Sequence, residues 1–185
     1  RLNTEELNRL VTTLYNYKNR NVSQIALFAL STGMRIGEIL KSRWTDLDRE
    51  TRLLRVPADN AKSKKSRSIP LNNSAMRVID QLDTEDKYDY LWINRRSGKP
   101  YTTISRQWVK IRNAADLPSL RIHDLRHQFA SLLVNQGVSL YLVRSLLGHS
   151  QITTTERYSH LANDSLLDAS SRVANVLDDA MKKSA

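Results

Sequence analysis

Residues 52–70 read RLLRVPADNAKSKKSRSIP, and this stretch decides the fold class. The apolar residues within 53–56 predict one short strand, and residues 68–69 predict a second. The segment between them, residues 59–66, is polar and contains three lysines. We therefore predict a β-hairpin with a basic tip, set in a chain that is otherwise mostly helical.

Helical patterns lie on both sides of this hairpin. Before it, apolar residues at helical spacing predict a helix with Thr4 as its N-cap and a second helix, capped by Ser23, that stops near Gly33. A short helix over residues 35–40 follows, so Arg35 lies at a helix junction. After the hairpin, the patterns predict a strand over 90–93 and helices over 72–82, 103–115, 124–136, 139–147 and 164–182.

This arrangement predicts an α+β fold that is mostly helical, with a small antiparallel sheet near the middle. With 185 residues and a hydrophobic fraction of 40%, the chain can bury one good core. We therefore predict one domain over residues 1–185, in which residues 164–185 form a C-terminal helical tail.

The composition narrows the class of partner and of chemistry. The chain has 29 Lys and Arg against 19 Asp and Glu, a formal charge of +10, which favours nucleic acid first and an anionic membrane surface second. Its longest apolar stretch is far shorter than the roughly 20 residues of a membrane span. No export signal is recognisable, so we expect a cytoplasmic location. The absence of cysteine excludes disulfides and thiol catalysis.

The densest group of reactive side chains is HDLRH at residues 123–127. Because His123 and Arg126 are three residues apart, they share one face of a helix, and that face can address a single anion. Other reactive side chains stand in three separate motifs: Arg35 in TGMRIGE, His149 in LGHS and Tyr158 in TERYSH.

The order and spacing of these four motifs resemble the active-site pattern of the tyrosine recombinase family, which includes phage integrases and Xer-type resolvases. The resemblance runs from Thr4 to about Leu177. It implies the catalytic domain of such a recombinase. Enzymes of this kind usually carry an N-terminal core-binding domain as well, and we expect that domain to be absent from residues 1–185.

The resemblance implies a role for each reactive side chain. Tyr158 is the implied nucleophile, Arg35 and Arg126 clamp the phosphate, and His123 and His149 form hydrogen bonds and handle protons.

The resemblance also implies that a lysine of the hairpin is the general acid. Lys62 is our first candidate for this role and Lys64 the second. We further predict that Lys64, Lys65 and Arg67 contact DNA.

The chemistry explains why these residue types are needed. Displacement at a phosphodiester puts negative charge on its non-bridging oxygens, and the planar, always charged guanidinium matches two of them. Glu38, one helical turn after Arg35, is predicted to orient that arginine. Free tyrosine has a pKa of about 10, so Tyr158 needs cationic neighbours or a base, for which His123 is the candidate.

The implied function is site-specific DNA recombination, the integration or excision of a phage or other mobile element, through a 3′-phosphotyrosyl intermediate. Because that intermediate conserves the energy of the broken bond, we expect no metal and no other cofactor. The implied partners are double-stranded DNA attachment sites in the bacterial nucleoid. A homotetramer with exchanged C-terminal segments is also implied, with no role for a membrane.

Two other functions are weighed against this one. A DNA-binding regulator of recombinase descent that no longer cuts is the runner-up, although the set of reactive residues is intact. A metal-dependent nuclease is the least favoured, because the acidic residues are scattered. His123 and His127 have a spacing that can seat zinc, but Asp124 stands where a zinc-protease helix has Glu.

Overall fold

The computed structural model describes residues 1–61 and 66–148. The chain divides into two units, Arg1–Phe129 and Ala130–Ala185. Several sequence-based predictions lie outside the described residues: those for Lys62, Lys64, Lys65, His149, Tyr158 and the helix over 164–182.

The first unit is mainly helical and contains two small antiparallel sheets, which confirms the predicted α+β class. Its helices are α1 (Thr4–Asn16), α2 (Arg20–Thr32), α3 (Ile36–Leu40), α4 (Asn73–Asp80), α5 (Ser105–Ala114) and the first part of α6 (Asp124–Asn135). Its strands are β1 (Leu47–Asp48), β2 (Leu53–Val56), β3 (Arg67–Pro70), β4 (Ile93–Asn94) and β5 (Lys99–Pro100). Within the described residues, no helix is long and apolar enough to cross a bilayer.

The predicted hairpin strands are β2 and β3, which pair antiparallel with Val56 opposite Arg67. Side chains alternate across a sheet, and here Val56 and Ile69 are buried whereas Arg55 and Ser68 are exposed. Arg67 stands two residues before Ile69, so it lies on the core-facing side. β1 pairs with the other edge of β2, a third strand that the sequence analysis did not predict.

Helix α2 forms the centre of the first unit. Nine of its 13 residues are buried, as expected of a helix covered on nearly every side. It packs against α1 and α4, and Phe28 meets the ring of Trp92 at a centroid distance of 5.4 Å.

Two predicted helix caps were placed too far along the chain. Asn19, not Ser23, caps α2 by accepting a hydrogen bond from the amide of Val22, so the helix begins a turn earlier. Asn3, not Thr4, caps α1 and forms a capping box with Glu6. In each case an asparagine upstream of the apolar pattern satisfies the first free amides, which the apolar spacing does not reveal.

Gly33 ends α2, as predicted. Its φ of 65° and ψ of 11° lie in the left-handed region, and its amide donates to the carbonyl of Ala29 at 2.9 Å. The turn leaves Arg35 at the N-cap position of α3, which confirms the predicted helix junction.

The described part of the second unit contains the end of α6 and helix α7 (Leu140–Leu147). Ser139 caps α7 by accepting a hydrogen bond from the amide of Leu142, and Gly148 ends it at a φ of 65°. This helix agrees with the one predicted over residues 139–147. The apolar residues buried here are Ala130, Val134, Val143 and Leu147.

We expect Gly33→Ala to lower the free energy of unfolding by about 1–2 kcal/mol, because a Cβ is disfavoured in the left-handed region. Gly37→Ala is the matched control within α3. Its φ is not left-handed and a Cβ there meets nothing within 4 Å, so it should gain about 0.5–1 kcal/mol from helix propensity. Urea denaturation of both variants checks this, and equal effects at the two glycines would contradict it.

Candidate active site

Arg35 is presented by the turn between α2 and α3. Its backbone is extended, with φ −70° and ψ 139°, and its side chain is 24% exposed. The Nη1 atom donates to Oε1 of Glu38 at 3.1 Å, as expected for residues one helical turn apart. The structure thus brings Glu38 and Arg35 together. That Glu38 orients Arg35 stays a prediction.

Arg126 reaches the same turn from α6. The residue is only 3% exposed. Its Nη1 donates to the carbonyl of Gly33 at 2.7 Å, two residues before Arg35. This bond holds a second arginine beside the first, although 93 positions separate the two bonded residues.

Glu38 is a buried carboxylate whose hydrogen-bonding capacity is filled. A carboxylate offers about four acceptor positions. Its oxygens accept the amide of Arg35 at 3.2 Å and Nη1 of Arg35 at 3.1 Å. They also accept Nη1 and Nη2 of Arg67 at 3.1 and 2.6 Å. Burial alone would raise the pKa of Glu38, but the bonds and charge of Arg67 and then the charge of Arg35 lower it overall.

The contact between Arg67 and Glu38 was missed by the sequence analysis, which grouped Arg67 with the DNA-contacting lysines. A signal was present in the sequence. Because strand residues alternate between two faces, Arg67 shares the face of the apolar Ile69 and not that of Ser68. Contact of Arg67 with DNA stays a prediction.

His123 stands just before α6, where the charges of Arg126 and Arg35 act on its imidazole. The residue as a whole is exposed, but partial burial of the imidazole lowers its pKa. The charges of Arg126 and Arg35 lower the pKa further, while the charge of Asp124 opposes them. The imidazole is therefore biased toward its neutral form, which can accept a proton.

The neighbours of His123 have structural tasks of their own. The ring of His127 meets that of His123 edge-on at a centroid distance of 4.9 Å. Asp124 accepts the amide and the guanidinium of Arg121 at 2.8 and 2.9 Å. In residues 1–61 and 66–148, no three His, Asp or Glu side chains cluster as metal ligands would.

The structure thus gathers five of the predicted site residues: Arg35, Glu38, Arg67, His123 and Arg126. The set carries three guanidinium groups, of which that of Arg67 is paired with Glu38, and an imidazole biased to be neutral. Because guanidinium forms charge-assisted bonds with phosphate oxygens, this arrangement is suited to hold one phosphate group and to handle a proton beside it.

We expect Arg35→Gln to raise the pKa of His123, because it removes a positive charge that disfavours the imidazolium. Arg49→Gln is the control, since Arg49 pairs instead with Asp80 and Glu85. Side-chain NMR titration of the imidazole, assigned with His123→Gln, measures both shifts. An unchanged or lowered pKa in Arg35→Gln would show that this charge does not act on the ring.

Comparison with known sequences finds a match to the phage integrase family over residues 1–165. The tyrosine recombinase XerC of Staphylococcus epidermidis is 30% identical over 88% of this chain and 57% of its own length. The integrase of Salmonella phage P22 is 28% identical over 84% of this chain and 43% of its own length. The chain thus spans about half the length of these relatives.

Solved structures show the same fold. The catalytic domain of bacteriophage HP1 integrase is 26% identical, with a TM-score of 0.69 and 92% of both chains covered. The XerH recombinase bound to its difH substrate is 26% identical, with a TM-score of 0.72 over 92% of this chain and 53% of that one. Because the family match covers residues 1–165, with the arginines and His123 inside it, the chain belongs to the phage integrase family of tyrosine recombinases.

Proposed function

We propose that this chain is the catalytic domain of a site-specific recombinase that integrates or excises DNA by cutting and rejoining it through Tyr158. One observation carries the proposal. Arg126 is hydrogen-bonded to the turn that presents Arg35, and the charges of both arginines lower the pKa of His123. In a member of this family, such a cluster is best explained as the binding site of the phosphate that is cut.

The two arginines hold the non-bridging oxygens of the scissile phosphate. Arg126 is fixed in place before substrate arrives, because it is buried and bonded to the Gly33 carbonyl. Arg35 is partly exposed and held on one side by Glu38. Donors that are oriented in advance stabilise the charge of the transition state without reorganising during the reaction.

The proposed cleavage step balances without a cofactor. The Oη atom of Tyr158 attacks phosphorus, forming a tyrosyl ester as the bond to the 5′-oxygen breaks. Neutral His123 takes the phenol proton, and His149 forms a hydrogen bond with the phosphate. Lys62, or Lys64 in second place, gives a proton to the departing 5′-oxygen. Rejoining is the reverse, with the 5′-hydroxyl of another strand as the nucleophile.

The partner in this proposal is double-stranded DNA at an attachment site, in the nucleoid of a bacterial host. Lys64 and Lys65 are the proposed phosphate contacts beside the active site, whereas Arg67, which was predicted to be a third such contact, pairs with Glu38. The relative XerH was solved with its difH substrate, which supports a DNA duplex as partner. We further propose a homotetramer on DNA that exchanges C-terminal segments, the assembly that the family resemblance implies.

Covalent trapping tests the function directly. A nicked suicide duplex that carries the attachment site should trap the full-length protein on DNA in EDTA, because the cut strand diffuses away before rejoining. Tyr158→Phe should give no adduct on a denaturing gel while it binds the duplex as tightly as the wild type. The adduct should survive EDTA, since no metal takes part in the proposed step.

Two results would contradict this function. An adduct formed by Tyr158→Phe would remove Tyr158 as the nucleophile. A wild-type protein that binds the duplex but never forms an adduct would favour the regulator that no longer cuts.

The clamp has its own test. Arg35→Ala should slow single-turnover cleavage by about 10³- to 10⁵-fold, the range for an arginine that stabilises a transferring phosphate. Its affinity for DNA should change far less, because many other contacts bind the backbone. Arg77→Ala, on the exposed face of α4, is the control and should cleave at the wild-type rate. Equal losses of rate and affinity in Arg35→Ala would indicate a binding role instead.

A further inference from the structure

Arg67 lies on the buried face of β3, although the lysines before it in the sequence suggest a solvent-exposed position. It follows a lysine-rich tip, yet in β3 it pairs opposite the buried Val56 and shares the face of the buried Ile69. Its side chain is only 14% exposed. A side chain placed like this has little freedom to follow a DNA backbone through solvent.

The target of Arg67 is the carboxylate of Glu38. Two parallel bonds, from Nη1 to Oε1 at 3.1 Å and from Nη2 to Oε2 at 2.6 Å, form the bidentate pair for which guanidinium is suited. The Glu38 side chain is 3% exposed, so its charge depends on these partners. A buried carboxylate that loses a partner is left with an uncompensated charge.

Glu38 is shared between Arg67 and Arg35. Its Oε1 atom accepts Nη1 of each arginine at 3.1 Å, and its Oε2 atom accepts the backbone amide of Arg35 and Nη2 of Arg67. Arg67 supplies two of these four bonds, which determine the plane of the carboxylate. Any rotation of that plane moves the acceptor that holds the Arg35 side chain.

We propose that Arg67 is a positioning residue that locks Glu38 and thereby fixes the direction in which Arg35 meets the scissile phosphate. The inference rests on the proposed function and adds a residue to it. It also gives β3 a task, because the strand that leads out of the hairpin is bonded to the carboxylate behind the clamp. The pKa of Glu38 agrees, since Arg67 lowers it more than Arg35 does.

The test uses the full-length protein on the suicide duplex at saturating concentration, so that the rate reports cleavage and not binding. Arg67→Gln should slow adduct formation by about 10- to 100-fold, the usual loss when a residue behind the reacting groups is removed. The Kd for DNA and its dependence on salt should stay at wild-type values, because no phosphate contact is lost.

A double-variant cycle asks whether Arg67 acts through Glu38. Glu38→Gln alone should slow cleavage, and Arg67→Gln added to it should cause little further loss, because residues in one network are not additive. Arg67→Lys keeps the charge but not the two parallel bonds, so its rate should lie between those of Arg67→Gln and the wild type. If Arg67→Gln does not fold, Arg67→Lys and the double variant carry the test.

Arg55→Gln is the matched control, since Arg55 lies on the exposed face of the same sheet. It removes the same charge and should cleave at the wild-type rate. Three results would overturn the proposal: full cleavage rate in Arg67→Gln or Arg67→Lys, additive losses in the cycle, or a loss confined to affinity and salt dependence. The last would make Arg67 a DNA contact.

The failure of the proposed function is a separate outcome. It appears as the absence of any Tyr158-dependent adduct in the wild type, and it would remove the cleavage role of Arg67 together with that of Arg35. An adduct in the wild type with no effect of Arg67→Gln would reject the positioning role alone.

Discussion

Arg126 donates a hydrogen bond from Nη1 to the carbonyl of Gly33 at 2.7 Å, and the arrangement of the site depends on this bond. The carbonyl belongs to the left-handed residue that ends α2 and turns the chain into Arg35. A guanidinium that is almost wholly buried needs such acceptors, because an unpaired buried charge is costly. This bond therefore places Arg126 next to Arg35.

A concentration of positive charge must be balanced if it is to be held before substrate binds. Glu38 provides that balance from beneath, as a buried carboxylate that accepts bonds from Arg35 and Arg67. It leaves the outer side of Arg35 partly exposed. The carboxylate of Glu38 is thus fixed in the core, while the exposed side of the Arg35 guanidinium remains able to bind a second anion.

The same charges influence the acid–base chemistry. Partial burial and the neighbouring arginines lower the pKa of His123, so the ring is biased toward the form that accepts a proton. A phosphate bound between the arginines would offset their charge and make the imidazolium easier to form. The protonation of His123 is thus coupled electrostatically to the binding of an anion at the arginines.

The sequence by itself determined the helical pattern, the hairpin, the stop at Gly33 and the family motifs with their candidate residues. These features depend on local periodicity, on residues suited to turns and on the identity of reactive side chains. Only the tertiary structure decided that Arg67 binds Glu38 and that Arg126 binds Gly33, because those partners are 29 and 93 positions apart. Contacts at such separations depend on how the elements pack, and one sequence carries no local signal for them beyond the alternation that turned Arg67 inward.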